Sequence, residues 1–392
     1  MSKRSAAGKK PFTKLGHLGR DPELYRGFVN APAYRGSTVI FPTLDSLLAD
    51  DQEFSYGRQC TPTVKEMQEA LADLEGGDAC FLSSSGLSAI AAVLLAFVEE
   101  GDHLLVTDSI YKPTRRYCND VLKRLGVETT YYDPTIGADI AELLRPNTKL
   151  VFTESPGSQT FEIQDIPAIA EAAHKAGALV AMDNTWATPL FFKPFEHGVD
   201  ISVHAATKYI VGHADAMLGA VIAKGDDPVE RLAAIHDASG MCPGPEDVYL
   251  GLRGMRTMGV RLERHQASAI ALAEWFAARP EVERVLHPAF PSCPGHELWR
   301  RDFTGASGLF SVVLNPMSKA ALAAMVDDME LFGMGYSWGG FESLILPFNP
   351  TSYRSVTPWD AAGPALRIHA GLEDIDDLKA DLEAGFARAA EA

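Results

Sequence analysis

Apolar residues along this chain gather in short continuous runs, separated by stretches whose apolar positions recur every three or four residues. Seven runs read as buried strands: Ala79–Leu82, His103–Val106, Val127–Tyr131, Leu150–Thr153, Leu179–Met182, Ile201–His204 and Met217–Ala223. Between them, Gly86–Val98, Lys112–Leu125 and Ile166–Lys175 read as helices. Alternation of this kind is the signature of a mostly parallel sheet with helices on both faces. Another helix opens at Thr61-Pro62, runs to about Leu74 and stops at Gly76-Gly77. A long helical stretch, Glu246–Ala278, leads into a tail where Leu309–Leu314 and Ala365–Ala370 read as strands. In the same tail Lys319–Met329 and Asp374–Ala389 read as helices. Residues 1–60 show little periodicity and read as an arm ending in Phe54-Ser55-Tyr56-Gly57-Arg58. The expected organisation is therefore an arm over 1–60, a large α/β domain over 61–255 and a smaller α/β C-terminal domain over 256–392.

Composition narrows the function classes. The chain has 392 residues, 46% of them hydrophobic, enough to bury a core in both domains. A formal net charge of −17 speaks against a nucleic-acid partner, which selects a basic face. No stretch reaches the roughly 18 apolar residues of a membrane span. The basic segment from Lys3-Arg4 to Lys9-Lys10 is short and lacks the apolar core of a signal peptide. Five cysteines (Cys60, Cys80, Cys118, Cys242, Cys293) stand scattered, with no C-x-x-C pair. They read as free thiols of a reducing cytoplasm, with neither disulfides nor a metal site.

Candidate chemistry sits at the ends of the apolar runs. Lys208 follows the run Ile201–His204, and Asp183 ends the run Ala178–Met182. A lone lysine after a strand is ordinarily a solvated loop residue. A lysine and an aspartate so placed suit pyridoxal phosphate: the amine forms a Schiff base with the aldehyde, and the carboxylate keeps the pyridine nitrogen protonated. Ser83-Ser84-Ser85-Gly86-Leu87 opens a helix, where free N–H groups and the positive dipole end make a phosphate site, although serines also cap ordinary helices. Tyr111 begins the helix after the second run, where its face could stack on a ring or pack as a half-buried core residue. Arg367 lies mid-strand in Leu366-Arg367-Ile368-His369 and needs an anion, either a ligand carboxylate or a structural acid. Trp338 stands beside Gly339-Gly340, where backbone can approach a ligand closely.

In combination these stretches resemble the pyridoxal-phosphate enzymes of cysteine and methionine metabolism. The matching segments are Phe54–Arg58, Ser84-Ser85-Gly86-Leu87, Glu154-Ser155-Pro156-Gly157-Ser158, Asp183-Asn184-Thr185-Trp186, Ala206-Thr207-Lys208-Tyr209 and Tyr336-Ser337-Trp338-Gly339-Gly340-Phe341-Glu342-Ser343. The resemblance implies an aspartate-aminotransferase-like fold with a seven-stranded, mostly parallel sheet, and a homotetramer built from two tight dimers. It implies pyridoxal 5'-phosphate as cofactor, with Lys208 as Schiff-base lysine and Asp183 as the pyridinium partner. Gly86 and Leu87 would hold the phosphate through backbone N–H groups and Thr207 through its hydroxyl, with Tyr111 stacked on the ring and a candidate for proton transfer. Tyr56 and Arg58 would reach the phosphate of the neighbouring subunit, Tyr56 also facing the substrate. Ser337, Trp338 and Arg367 would hold the α-carboxylate of an amino-acid substrate.

Two positions depart from the pattern. Ala205 stands where many relatives carry serine, and Cys60 where they often carry glycine, which bears on phosphate affinity. Relatives with γ-type reactions typically carry leucine at the position of Trp338 and asparagine at that of Ser158, so the resemblance implies β-elimination. The implied reaction is cleavage of L-cystathionine to L-homocysteine, pyruvate and ammonia, a step of methionine biosynthesis. Desulfhydration of cysteine, general cysteine-S-conjugate β-cleavage, and γ-lyase or γ-synthase chemistry are the alternatives.

Overall fold

The computed structural model describes Ala6 and residues 8–392, so Lys3-Arg4 lies outside the described residues. Strands β1 (Ala79–Ser83), β2 (His103–Thr107), β3 (Glu128–Tyr132), β4 (Thr148–Glu154), β5 (Leu179–Asp183), β6 (Ile201–His204) and β7 (Gly219–Ala223) form one sheet. Its order is β1-β7-β6-β5-β4-β2-β3. Only β7 runs against its neighbours, so β1 through β6 all point their carboxyl ends to one edge. Strands β2, β6 and β7 are buried along their whole length because both faces of the sheet are covered there, whereas edge strand β3 stays half-exposed. In β7, Ala220 and Ile222 pack with helices Pro62–Glu75 and Pro245–Ala277, whereas Val221 and Ala223 face helix Gly86–Phe97.

A second sheet has the order β10-β11-β9-β8, built from β8 (Val282–Leu286), β9 (Leu309–Leu314), β10 (Leu344–Phe348) and β11 (Ala365–His369). Phe310, Val312, Leu366 and Ile368 pack on the C-terminal part of helix Pro245–Ala277 and on helix Ile375–Glu391. The opposite face presents Leu309, Val313 and Ala365 to the core shared with Val180, Met182 and Trp186. The 33-residue helix thus belongs to both cores and fixes one sheet against the other.

Several expected elements differ in extent. The helix read over Lys112–Leu125 ends at Asp120 and continues as a 3-10 turn, Leu122–Leu125. The weak helix formers Asn119 and Asp120 precede β-branched Val121, and Gly126 closes the turn with φ 81°. The tail helix over Lys319–Met329 stops at Val326. The arm holds two short helices, Pro11–His17 and Leu44–Ala49, the first of which packs beneath the long helix. Among the described residues no helix is long and apolar enough to cross a membrane. All five cysteines are free.

Candidate active site

The carboxyl edge of the parallel strands gathers the chemistry. Asp183 is the last residue of β5, and Lys208 lies four residues beyond β6. Glu154 ends β4 and pairs in register with Asp183. Beneath them, Glu75 Oε1 accepts hydrogen bonds from Ser202 Oγ at 2.6 Å and Asn184 Nδ2 at 2.9 Å, and lies 3.0 Å from His204 Nε2. This buried network ties the strand that ends at Asp183 and the strand that leads to Lys208 to the end of helix Pro62–Glu75.

Lys208 Nζ lies 2.7 Å from Ser337 Oγ and 5.4 Å from the centre of the Trp338 ring. Burial, with Arg367 second, pushes its ammonium down to about 8 against the attraction of Asp183. Asp183 Oδ1 accepts from Thr185 N at 3.0 Å and Thr185 Oγ1 at 2.5 Å. The same Oγ1 accepts from Ala205 N at 2.8 Å, linking the Asp183 turn to the backbone that leads to Lys208. Burial raises the Asp183 carboxyl above its ordinary value, and the Thr185 donors, His204 and Lys208 oppose it.

Ser337–Gly340 lies directly over the lysine. A Cβ on Gly339, whose φ is +88°, would meet Lys208 C at 2.9 Å, so only glycine permits that approach. Ser337 itself has φ 77°, a strained value for a serine. Arg367 on β11 holds it there by donating to Ser337 O at 2.8 Å, with a second, longer contact to Gly335 O at 3.4 Å. His369, two residues further along β11, accepts from Gly339 N at 3.1 Å. Among the described residues no carboxylate forms an ion pair with Arg367. Its NH2 group turns to carbonyls, which leaves the other donors of the fork for an anion.

The loop after β1 forms a cradle. Ser85 caps helix Gly86–Phe97 by accepting from Ser88 N at 3.1 Å, with Ser88 Oγ returning to Ser85 N at 2.9 Å. Gly86 and Leu87 therefore carry first-turn N–H groups without intrahelical acceptors. A Cβ on Gly86 would meet Ala205 Cβ at 2.5 Å, so the glycine lets the loop press against the turn before Lys208. Donor edge, carboxylate, amine and buried cation match the phosphate, pyridine nitrogen, aldehyde and amino-acid carboxylate that pyridoxal phosphate chemistry presents. Thr207 is otherwise engaged: its hydroxyl donates to Leu218 O at 3.1 Å and accepts from Leu218 N at 2.8 Å. Holding a phosphate would require that rotor to leave Leu218 O.

Tyr111 stands at the same edge, 45% exposed, its N–H donated to Glu154 Oε2 at 2.7 Å. Burial, with Glu154 and Asp183 following, raises its phenol above the ordinary value, against Arg367. Tyr56 and Arg58 lie elsewhere. Arg58 reaches Asp237 Oδ1 and Asp237 O, each at 3.0 Å, and its guanidinium lies 5.9 Å from the Tyr56 ring. Cys60 is half-buried with Sγ 3.5 Å from Thr61 O, and burial raises its thiol. Glu154 and Thr185 carry contacts at the site that sequence reasoning assigned to neither. For Glu154 the signal was available, since it ends an apolar run just as Asp183 does.

The family described as Cys/Met metabolism PLP-dependent enzyme matches residues 12–387. A putative cystathionine β-lyase of Rhizobium johnstonii is 52% identical over 381 residues, 96% of either chain. Cystathionine β-lyase MetC of Escherichia coli K12 is 44% identical over 393 residues, 97% of this chain and 99% of that protein. Cystathionine γ-synthase from Xanthomonas oryzae pv. oryzae, solved with aminoacrylate and cysteine, has a TM-score of 0.90 at 34% identity, covering 97% of this chain and 99% of that one.

Proposed function

The chain belongs to the Cys/Met metabolism PLP-dependent enzymes, and we propose that it cleaves L-cystathionine by β-elimination to L-homocysteine, pyruvate and ammonia. Its cofactor is pyridoxal 5'-phosphate, and it is a carbon–sulfur lyase. The observation that carries the reading is the convergence of Lys208, Asp183 and Arg367 under the Ser337–Gly340 loop, in a chain 44% identical to cystathionine β-lyase MetC of Escherichia coli K12. The γ-synthase structure has the same fold at the lower identity of 34%.

When bound, the cofactor supplies a cationic ring that stabilises negative charge at Cα and makes a Cβ leaving group easier to expel. Lys208 would hold it covalently and then, as a free amine, take the Cα proton at Nζ. An ammonium pushed down to about 8 gives up its proton far more readily near neutral pH than an ordinary lysine does. Asp183 would keep the ring nitrogen protonated, and the Gly86 and Leu87 N–H groups would hold the phosphate, with Thr207 joining if its hydroxyl turns. Tyr111, its phenol held in the protonated form, would stack on the ring and donate a proton toward the departing thiolate. Arg367, Ser337 and Trp338 would orient the α-carboxylate, so that the Cα–H bond faces Lys208. Tyr56 and Arg58 would complete the phosphate and substrate sites of a neighbouring subunit in a cytoplasmic homotetramer. Support for that assembly comes from the apolar side chains the arm leaves exposed, Phe28, Ile40 and Leu48 among them.

Purified holoenzyme given L-cystathionine should release pyruvate and homocysteine in equal amounts, and Lys208→Ala should stay folded while losing nearly all turnover. Formation of 2-oxobutyrate with cysteine would move the cleavage to the γ side. Wild-type turnover by Lys208→Ala would overturn the lysine's role.

A further inference from the structure

Two carboxyls close adjacent rungs of the large sheet. Glu154 and Asp183 are paired residues of parallel strands, so their side chains project from the same face at the edge where Lys208 lies. Their surroundings differ. Asp183 Oδ1 receives two donors from Thr185, at 2.5 and 3.0 Å, and Lys208 attracts it. Among the described residues the Glu154 side chain receives a single hydrogen bond, from Tyr111 N at 2.7 Å. Charged and titratable neighbours that bear on it are Asp183 on β5, Tyr111 on the helix after β2, and Tyr353 from the segment after β10. None of these is a cation.

We propose that Glu154 is a positioning residue of this site: a neutral carboxylic acid that anchors the Tyr111 backbone without setting a second negative charge beside Asp183. The inference rests on the pyridoxal-phosphate reading above. Tyr111 is the residue before helix Lys112–Asp120, and its side chain makes no capping hydrogen bond of its own. An N–H at the start of a helix has no acceptor within it, so that of Tyr111 needs one from outside to fix the tyrosine. Glu154 provides it from the strand edge. Were Glu154 ionised, two like charges would share a poorly solvated corner, and one of the pair would take up a proton. The donors around Asp183 decide which one: the charge stays where Thr185 and Lys208 stabilise it, and the proton goes to Glu154. Burial, with the Asp183 charge second, moves the Glu154 carboxyl well above the ordinary range in the same direction.

The assignment separates two substitutions that a plain ionic role would not. Glu154→Gln keeps a neutral group with an oxygen able to accept from Tyr111 N, whereas Glu154→Ala removes the acceptor. For the glutamine variant, the dissociation constant of pyridoxal phosphate from the apoprotein, and kcat/KM for L-cystathionine, should stay within about threefold of wild type. In the alanine variant both should worsen by about five- to tenfold, the loss expected for one hydrogen bond. Thermal midpoints of the apoproteins, measured alongside, identify any general loss of stability. If Glu154→Gln is as impaired as Glu154→Ala, the neutral-acid role is overturned. If Glu154→Ala matches wild type, the anchor is overturned. Should wild type yield no pyruvate from L-cystathionine, the reaction reading falls, while the cofactor-binding contrast still decides the role of Glu154.

Discussion

Asp183 keeps its charge through one neighbour more than any other. Burial alone raises its carboxyl, and the Thr185 hydroxyl heads the groups that oppose the rise. Thr185→Val keeps the side-chain shape but removes the 2.5 Å donor to Asp183 and the acceptor of Ala205 N. A hydrogen bond to a charged group contributes about 1.5–3 kcal/mol, so the affinity of the apoprotein for pyridoxal phosphate should fall by about tenfold or more. Titrating the apoprotein with cofactor while following tryptophan fluorescence reads the change, and Thr185→Ser should restore the affinity. An unaltered dissociation constant for Thr185→Val would remove Thr185 from the cofactor's support. Residues of this kind escape sequence reading, because the target of a hydroxyl depends on turn geometry that side-chain type does not encode. Lys208, Asp183 and Arg367 were legible for the opposite reason: ionisable groups at the ends or centres of apolar runs demand a partner. Trp338 stood out through its glycine neighbours, and Ser337 only through the family resemblance. Gly339 does approach Lys208 closely.

Among elements, legibility follows burial. Six of the seven strands of the large sheet are mostly buried, β3 at its edge is not, and the runs mark all seven to within a residue or two. In the small sheet the inner strands β9 and β11 were read, whereas the edge strands β8 and β10 were not. Val282-Glu283-Arg284-Val285-Leu286 mixes charge with apolar residues, and Pro347 interrupts β10, as edge strands tolerate. Strand order, including the reversed β7 between β1 and β6, comes from contacts distant in sequence. One loop was equally invisible. After β10, residues 350–357 fold onto buried Asp108, which accepts from Ser355 N at 3.0 Å, Val356 N at 3.1 Å and Thr357 N at 3.0 Å. Asp108 also pairs with Arg115, and with Arg354 at 3.2 Å, while Arg354 reaches Glu162 beyond β4 at 2.8 Å. Burial alone would raise this carboxyl, but the Thr357, Ser355 and Val356 N–H groups and Arg115 hold it below its usual value. Asp108→Asn should lower stability to urea by about 3 kcal/mol and speed proteolysis within 350–357. Since the folded value lies below the unfolded one of about 3.9, the contribution is complete above about pH 5 and is lost as pH falls from there through the folded value. The gap between wild type and variant should therefore close in acid. An unchanged urea midpoint at pH 7 would show that the latch adds nothing.

At the scale of the whole molecule, the arm is the element that one subunit leaves unexplained. It exposes Phe28 at 75%, Ile40 at 84% and Leu48 at 75%, more apolar surface than a free segment keeps in water. Arg58 pairs with Asp237 at 3.0 Å, but both side chains are more than a third exposed. Such a pair contributes little and yields readily to a phosphate dianion, which Arg58 can meet with two parallel donors. Tyr56, 44% exposed, adds a hydroxyl donor beside it. If the arm crosses to a second subunit, each site combines Tyr56 and Arg58 of one chain with Lys208 of the other. A hybrid dimer of Arg58→Ala and Lys208→Ala subunits then holds one site with every group intact and one with both lesions. Each variant should first be shown folded and strongly impaired as a homo-oligomer. Refolded together, the two should recover activity, at most about half of wild type per hybrid dimer by this counting of sites. If the arm serves its own subunit, no site in the hybrid is intact and the mixture stays at the level of its parents. Differential tagging identifies the hybrids, and their inactivity would rule out the shared site.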